Sequence, residues 1–403
     1  MSGREVTGRA LPITAYAAVN AMGTSTTEVL AALDADRSGL APPRFEMPFT
    51  TLVGAVPGDL PPLDADLAPY DTRLSRIGML ALADVRDAVD RALTRWGKRR
   101  VAILLGTSTG GLDATERAYR AWGESGVLPA GFDLDRQHGF HALGDLYAET
   151  CGIEGPSYVI STACSSSGKV HASAQRLIRA GVVDAAIVGG IDSLCRMTLH
   201  GFRGLGILSE GACTPFAKGR GGINIGEGAA LMLIERSSDA TEEAALVHLL
   251  GVGESSDAYN MSSPEPEGRG AREAMQRAMS DAGISPSQVD LLIAHGTATP
   301  QNDIAESIAI QAVLGTAVPV VSTKGYTGHQ LGAAGATGAV FAAHAVRRGR
   351  IPASLGAEPI DPDIRVRVAA KGAEQRVDRV LASAFAFGGS NVCVAIGRPG
   401  GGS

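Results

Sequence analysis

Aromatic side chains are scarce in this chain of 403 residues, at 4%. Its core must therefore be built from Ala, Val, Ile and Leu, with many close backbone approaches among the 52 Gly. There is no basic excess. The formal net charge is -6, which argues against a nucleic-acid partner, because such proteins carry a basic footprint. The five Cys, at 151, 164, 195, 213 and 393, are scattered and form no CxxC pair. That argues against a disulfide framework or a zinc site, and reduced cytosol is the expected compartment. No run reaches the roughly 18 apolar residues of a membrane span. The segment Met1 to Asn20, with Arg4 and Arg9, lacks the apolar stretch of a secretory signal. A cytoplasmic protein off the membrane is expected, and no residue pattern asks for a cofactor or a metal.

The length suggests two domains or one large doubled unit. Short apolar runs closed by small residues read as buried strands: Val101–Leu105, Tyr158–Ile160 and Ala185–Val188. A helix is expected between the last two, from Lys169 to Ala180, ended by Gly181. Strand, helix, strand with buried strands points to an α/β sheet with parallel segments. The second half repeats landmarks of the first. Gly106-Thr-Ser-Thr109 follows one strand and Gly296-Thr-Ala-Thr299 follows Leu291–Ala294. Ser161-Thr162 and Ser322-Thr323 each end a strand before a glycine-rich turn and an Ala-rich helix, which end at Gly181 and Gly349. Gly189-Gly190 and Gly388-Gly389 each follow an apolar run. Any α/β protein shows such turns singly; four in one order favour duplication. The halves are expected as 1–240 and 241–403, divided in the polar stretch Arg236 to Ala245. Their strand-end loops can then face one cleft.

Cys164 sits where a strand stops and a helix begins, with small residues Ser165-Ser-Ser-Gly168 for a tight turn. The helix dipole there favours thiolate by about 0.3–1 kcal/mol, and turn N–H groups can bind an oxyanion. A buried structural Cys is the ordinary alternative, and it suits the other four. Two His, 295 and 329, lie at the matching strand ends of the second half, with Lys324 shortly before His329. The other six His stand in helical, polar or irregular context. Asp303 and Glu306, spaced i,i+3, either support the His295 loop or form the acidic first turn of a helix. Two His without a carboxylate partner differ from a hydrolase triad and suit stabilisation of an enolate beside a Cys thioester.

These residues resemble the β-ketoacyl-acyl-carrier-protein synthases of the elongating class, over Leu11 to Arg398. Thr162-Ala-Cys-Ser-Ser-Ser167 is similar to the nucleophile motif. His295-Gly-Thr-Ala-Thr299 with Asp303 and Glu306 is similar to the first histidine motif. Lys324 with Gly328-His329 and Gly332-Ala-Ala-Gly335 is similar to the second, and Ser383-Ala-Phe-Ala-Phe387-Gly388-Gly389-Ser-Asn391 to the closing loop. The resemblance implies the duplicated, five-layered α-β-α-β-α thiolase fold. It implies that Cys164 takes an acyl group from acyl carrier protein, and that His295 and His329 stabilise the enolate formed when malonyl-carrier protein loses carbon dioxide. Lys324 then orders the site, supported by Thr297, Thr299, Gly388 and Gly389. The N–H groups of Cys164 and Phe387 form the oxyanion hole, Phe387 gates acyl loading, and the enzyme is a homodimer or a heterodimer with a chain-length factor.

Some positions depart from that pattern. The family's Asp-x-x-Arg-Asp-Gly-Phe stands here as Ala217-Lys-Gly-Arg220-Gly-Gly-Ile223, leaving Arg220 as an expected carrier-docking residue. Asn302 replaces a Gly before Asp303, and Ala386 a Gly between two Phe. Ser193-Leu-Cys-Arg196 and Gly222-Ile-Asn-Ile-Gly226-Glu-Gly228 look like ketosynthases of aryl-polyene and related polyene clusters. An initiating ketosynthase would pair Cys with His and Asn, whereas His329 here has a Lys. A thiolase shares the fold. A non-catalytic chain-length factor lacks the nucleophile, and a cysteine hydrolase leaves Lys324 and the second His unexplained.

Overall fold

Each apolar run becomes a strand, fully buried at Val101–Leu105 and Ala185–Val188 and partly exposed at Tyr158–Ile160. The computed structural model describes residues 10–399; Arg4 and Arg9, weighed above against a secretory signal, lie outside them. First-half strands are β1 (Leu11–Asn20), β2 (Val101–Gly106), β3 (Ser157–Ile160), β4 (Ala185–Asp192) and β5 (Gly228–Glu235). Second-half strands are β6 (Val247–Ser256), β7 (Leu291–Ile293), β8 (Pro319–Val321), β9 (Arg379–Ala386) and β10 (Ser390–Gly397). The spatial order is β3-β2-β4-β5-β1 in the first half and β8-β7-β9-β10-β6 in the second, where the two-residue strand Arg367–Val368 adds parallel to β8 at the edge. Directions repeat too. β2 runs parallel to β3 and β4, while β5 is antiparallel to β4 and β1. Likewise β7 runs parallel to β8 and β9, while β10 is antiparallel to β9 and β6. Two units of one topology therefore make up the chain. They join where β1 meets β6 antiparallel, Leu11 opposite Leu249.

Helices Ser166–Arg179 and Ala334–Arg348 lie between the two sheets and pack on each other and on strands of both halves. Their small residues permit this. A Cβ at Gly168 would come within 2.4 Å of a Val392 methyl, and one at Gly335 within 2.6 Å of the Gly168 nitrogen. Helix Arg73–Trp96 covers the first sheet and helix Arg269–Ala282 the second, which gives the five layers of the thiolase fold. No helix among the described residues is long and apolar enough to cross a membrane.

The nucleophile-side helix begins at Ser166, three residues before the expected Lys169, and ends at Arg179; Gly181 follows at φ 69°. One landmark is placed differently from expectation. Gly189 and Gly190 lie inside β4, while Gly388 and Gly389 turn between β9 and β10. Packing explains the pair in β4, because a Cβ at Gly189 would strike the Ala230 carbonyl at 2.0 Å.

Candidate active site

Cys164 stands between β3 and its helix, one residue after Ala163, whose φ is +51°. A non-glycine residue in the left-handed region costs of order 1–3 kcal/mol and persists where its surroundings impose it. Here Ser166 imposes it: its backbone N–H donates to Ala163 O (3.1 Å), its hydroxyl donates to the same oxygen (2.5 Å), and Thr162 N–H donates to that hydroxyl (2.9 Å). The sulfur is thereby aimed away from the sheet. It lies 3.0 Å from His329 Nε2.

The two histidines come from the second half, on the loops after β7 and β8, which answer to those after β2 and β3. Their rings meet edge to face with centroids 5.2 Å apart. Cys164 Sγ and one ring nitrogen from each histidine lie within 4.8 Å of one another, all buried. Backbone anchors set both rings. Glu306 accepts from His295 N and Gly296 N, each at 2.7 Å. Asp303 accepts from Thr297 N at 3.0 Å and Phe216 N at 2.8 Å. The pair of carboxylates thus supports the loop, the first of the two readings left open above. Asn302, the departure from glycine, donates to both, at 3.2 and 3.3 Å. Thr297 and Thr299 share a hydroxyl bond of 2.8 Å. Lys324 Nζ donates to the His295 carbonyl. His329 N donates to Asn224 O (2.7 Å), and Gly226 N donates to His329 O (2.9 Å).

An open cleft of about 870 Å³ leads from the surface to Cys164, His295 and His329. Phe387 stands on its rim, 38% exposed, with its ring 5.9 Å from that of Phe202. Gly388 and Gly389, at φ 82° and 75°, turn the chain there. Gly388 N donates to Met261 O (2.7 Å), and Asn391 Nδ2 donates to Asp257 Oδ1 (2.7 Å), tying this turn to the loop after β6.

Burial pushes the Cys164 thiol up to about 11 from 9.0; Lys324 and the N–H groups of Cys164 and Phe387 pull it back only in part. That rise is worth about 3 kcal/mol and outweighs the helix dipole. The resting nucleophile is a thiol, against the thiolate the elbow alone suggested. Burial, then the Lys324 charge, holds both histidines well below their ordinary range, so they are neutral. Burial raises Glu306 to about 7.

Arg220 overturns its expected part in carrier docking. It is 7% exposed, with Nε 3.3 Å from Asp303 and Nη1 2.5 Å from Asp361. An interior guanidinium offers no surface charge; this one braces the His295 loop through Asp303. Sequence reasoning also missed Asn224. Its carbonyl holds His329 while its side-chain oxygen accepts from Cys213 N at 2.6 Å. A small polar residue between Ile223 and Ile225 was the available signal. His171, one of the six His set aside above, is fully buried with Nδ1 2.9 Å from Ser167 O.

Residues 68–240 match the family described as Beta-ketoacyl synthase, N-terminal domain, and residues 246–358 its C-terminal domain. A 3-oxoacyl-[acyl-carrier-protein] synthase 2 of Staphylococcus aureus is 33% identical over 337 residues, 79% of this chain and 83% of its own. The ketosynthase ApeO of Xenorhabdus doucetiae, solved with its chain length factor ApeC, shares 36% identity over 99% of this chain and 100% of that one, with TM-score 0.88. The ishigamide ketosynthase/chain length factor shares 29% identity over 97% and 100%, with TM-score 0.90. Alignment with both halves of a condensing enzyme, on a fold doubled in the same way, places this chain in the β-ketoacyl synthase family of acyltransferases.

Proposed function

We propose that the chain elongates carrier-bound acyl groups by decarboxylative condensation on Cys164. In loading, Sγ attacks the acyl thioester of the carrier. The new oxyanion lies between the Cys164 and Phe387 N–H groups, both directed at the sulfur's surroundings. His329 Nε2, 3.0 Å from Sγ, takes the thiol proton and passes it to the departing carrier thiolate. A thiol raised by burial needs that base. Once the sulfur is acylated it no longer bonds His329, and exchange of the ring proton from Nδ1 to Nε2 makes that nitrogen a donor beside His295.

Malonyl-carrier protein enters next. As carbon dioxide leaves, its electron pair moves onto the thioester oxygen, and the two neutral imidazoles stabilise that enolate by hydrogen bonds. Neutrality suits the task, because a neutral ring donates from one nitrogen without having to lose a charge. The enolate carbon attacks the acyl-Cys164 carbonyl, and collapse releases the 3-oxoacyl product and the Cys164 thiolate, which takes a proton from solvent to restore the thiol. Lys324 fixes the His295 loop through its carbonyl.

The carrier follows from the relatives' names and from a cleft open to the surface. A dimer, with itself or with a chain-length-factor-like subunit, is supported by β3. That strand ends the sheet, its outer edge is unpaired, and Tyr158 on it is 39% exposed. A polyene-type product is the reading supported by Ser193-Leu-Cys-Arg196 and Gly222-Ile-Asn-Ile-Gly226-Glu-Gly228. The observation that carries the function is the convergence of Cys164, His295 and His329 at the end of one cleft. The test is mass spectrometry of carrier-bound products from acyl- and malonyl-carrier protein. A two-carbon extension lost in Cys164→Ala is expected; extension retained in that variant refutes the reading.

A further inference from the structure

The three reacting groups are also a soft ligand set. One thiol sulfur and two imidazole nitrogens, all buried, lie within 4.8 Å of one another, and no other such cluster occurs among the described residues. A tetrahedral zinc ion takes sulfur at about 2.3 Å and nitrogen at about 2.0–2.1 Å. Its ligand atoms then stand about 3.3–3.6 Å apart. The shortest separation here, 3.0 Å between Cys164 Sγ and His329 Nε2, and the 4.8 Å limit bracket that spacing, so ring rotations suffice. The outer ring nitrogens, Nδ1 of His295 and of His329, are buried without partners. All three residues line the open cleft, through which an ion can enter. Lys324 opposes a second cation there, but its Nζ is pinned to the His295 carbonyl, and the buried Glu306 and Asp303 offset its charge.

We propose that Cys164, His295 and His329 bind one thiophilic divalent cation of the Zn²⁺ kind, which reversibly caps the nucleophile. On binding, the thiol proton leaves to solvent and a sulfur–metal bond forms; no electron transfer is involved. Hard cations such as Mg²⁺ have no claim on this set, since they seek oxygen ligands. The inference rests on the geometry and not on the acyl chemistry. A chain that binds zinc but does not condense refutes the proposed function alone, and one that condenses without binding zinc refutes this inference alone.

The experiment is iodoacetamide labelling of the purified wild-type chain, with Cys164 occupancy read by peptide mass spectrometry. One equivalent of Zn²⁺ is expected to slow Cys164 labelling at least tenfold, with EDTA restoring the rate and Mg²⁺ having no effect. Co²⁺ is expected to give a sulfur-to-metal charge-transfer band. His295→Ala and His329→Ala should each weaken zinc binding at least a hundredfold, while Cys151→Ala leaves it unchanged. An unchanged labelling rate at ten equivalents of Zn²⁺ overturns the proposal. So does equal protection by Mg²⁺, or undiminished zinc binding in Cys164→Ser.

Discussion

At Cys164, burial and the helix terminus act in opposite senses and burial wins. The division of labour between the histidines follows. His329 touches the sulfur, and in the proposed mechanism it acts in both steps while His295 acts on the enolate. In His295→Ala, formation of acyl-Cys164 should persist within about tenfold while malonyl decarboxylation falls about 10²–10⁴-fold. In His329→Ala both should fall. Acyl-enzyme mass and release of carbon dioxide measure the two steps separately. His171 shows the same desolvation without a catalytic task. Burial pushes it down to about 4 from 6.5. A depressed folded-state value means the neutral form is favoured, so this contribution is complete above pH 6.5 and is lost as pH falls towards 4. Urea unfolding should show wild type losing up to about 3 kcal/mol relative to His171→Gln across that window.

Among the elements, the loop after β7 is held by more than its own hydrogen bonds. Arg220 ties it to the segment before Gly221 and, through Asp361, to the loop after the strand Arg350–Ile351. Arg220→Gln would leave Asp303 buried without its cation. We expect a loss of about 3–5 kcal/mol in chemical unfolding, with carrier affinity unchanged in a binding titration. The strands were legible because apolar runs such as Val101–Leu105 are buried on both faces. So was the site, because its residues fall at repeated landmarks. Arg220 was misread because a charged residue in a polar, glycine-rich segment looks exposed; its partners lie 83 and 141 residues away in the chain. The Asn224–His329 bond and the β1–β6 junction were hidden for the same reason. Pairing between distant segments leaves no local period.

For the whole molecule, the open edge of β3 is the feature with a consequence for assembly. Ser157→Pro removes a backbone donor from that edge, because the Ser157 N–H faces away from β2. Sedimentation should show wild type as a dimer, alone or with its second subunit, and the variant nearer the single-chain 41.3 kDa. A variant that sediments as wild type would place the interface elsewhere.

The mirrored halves also set a schedule for synthesis. Cys164 is made 165 residues before His329. At 5–20 residues per second, roughly 10–30 s pass between them on the ribosome. Through that interval the first sheet can form while its thiol has neither its base nor the roof that later buries it. Chemical inertness, like reactivity, arrives only when the loops carrying His295 and His329 close over Cys164. A nascent chain is thus at its most vulnerable to electrophiles before it is an enzyme at all.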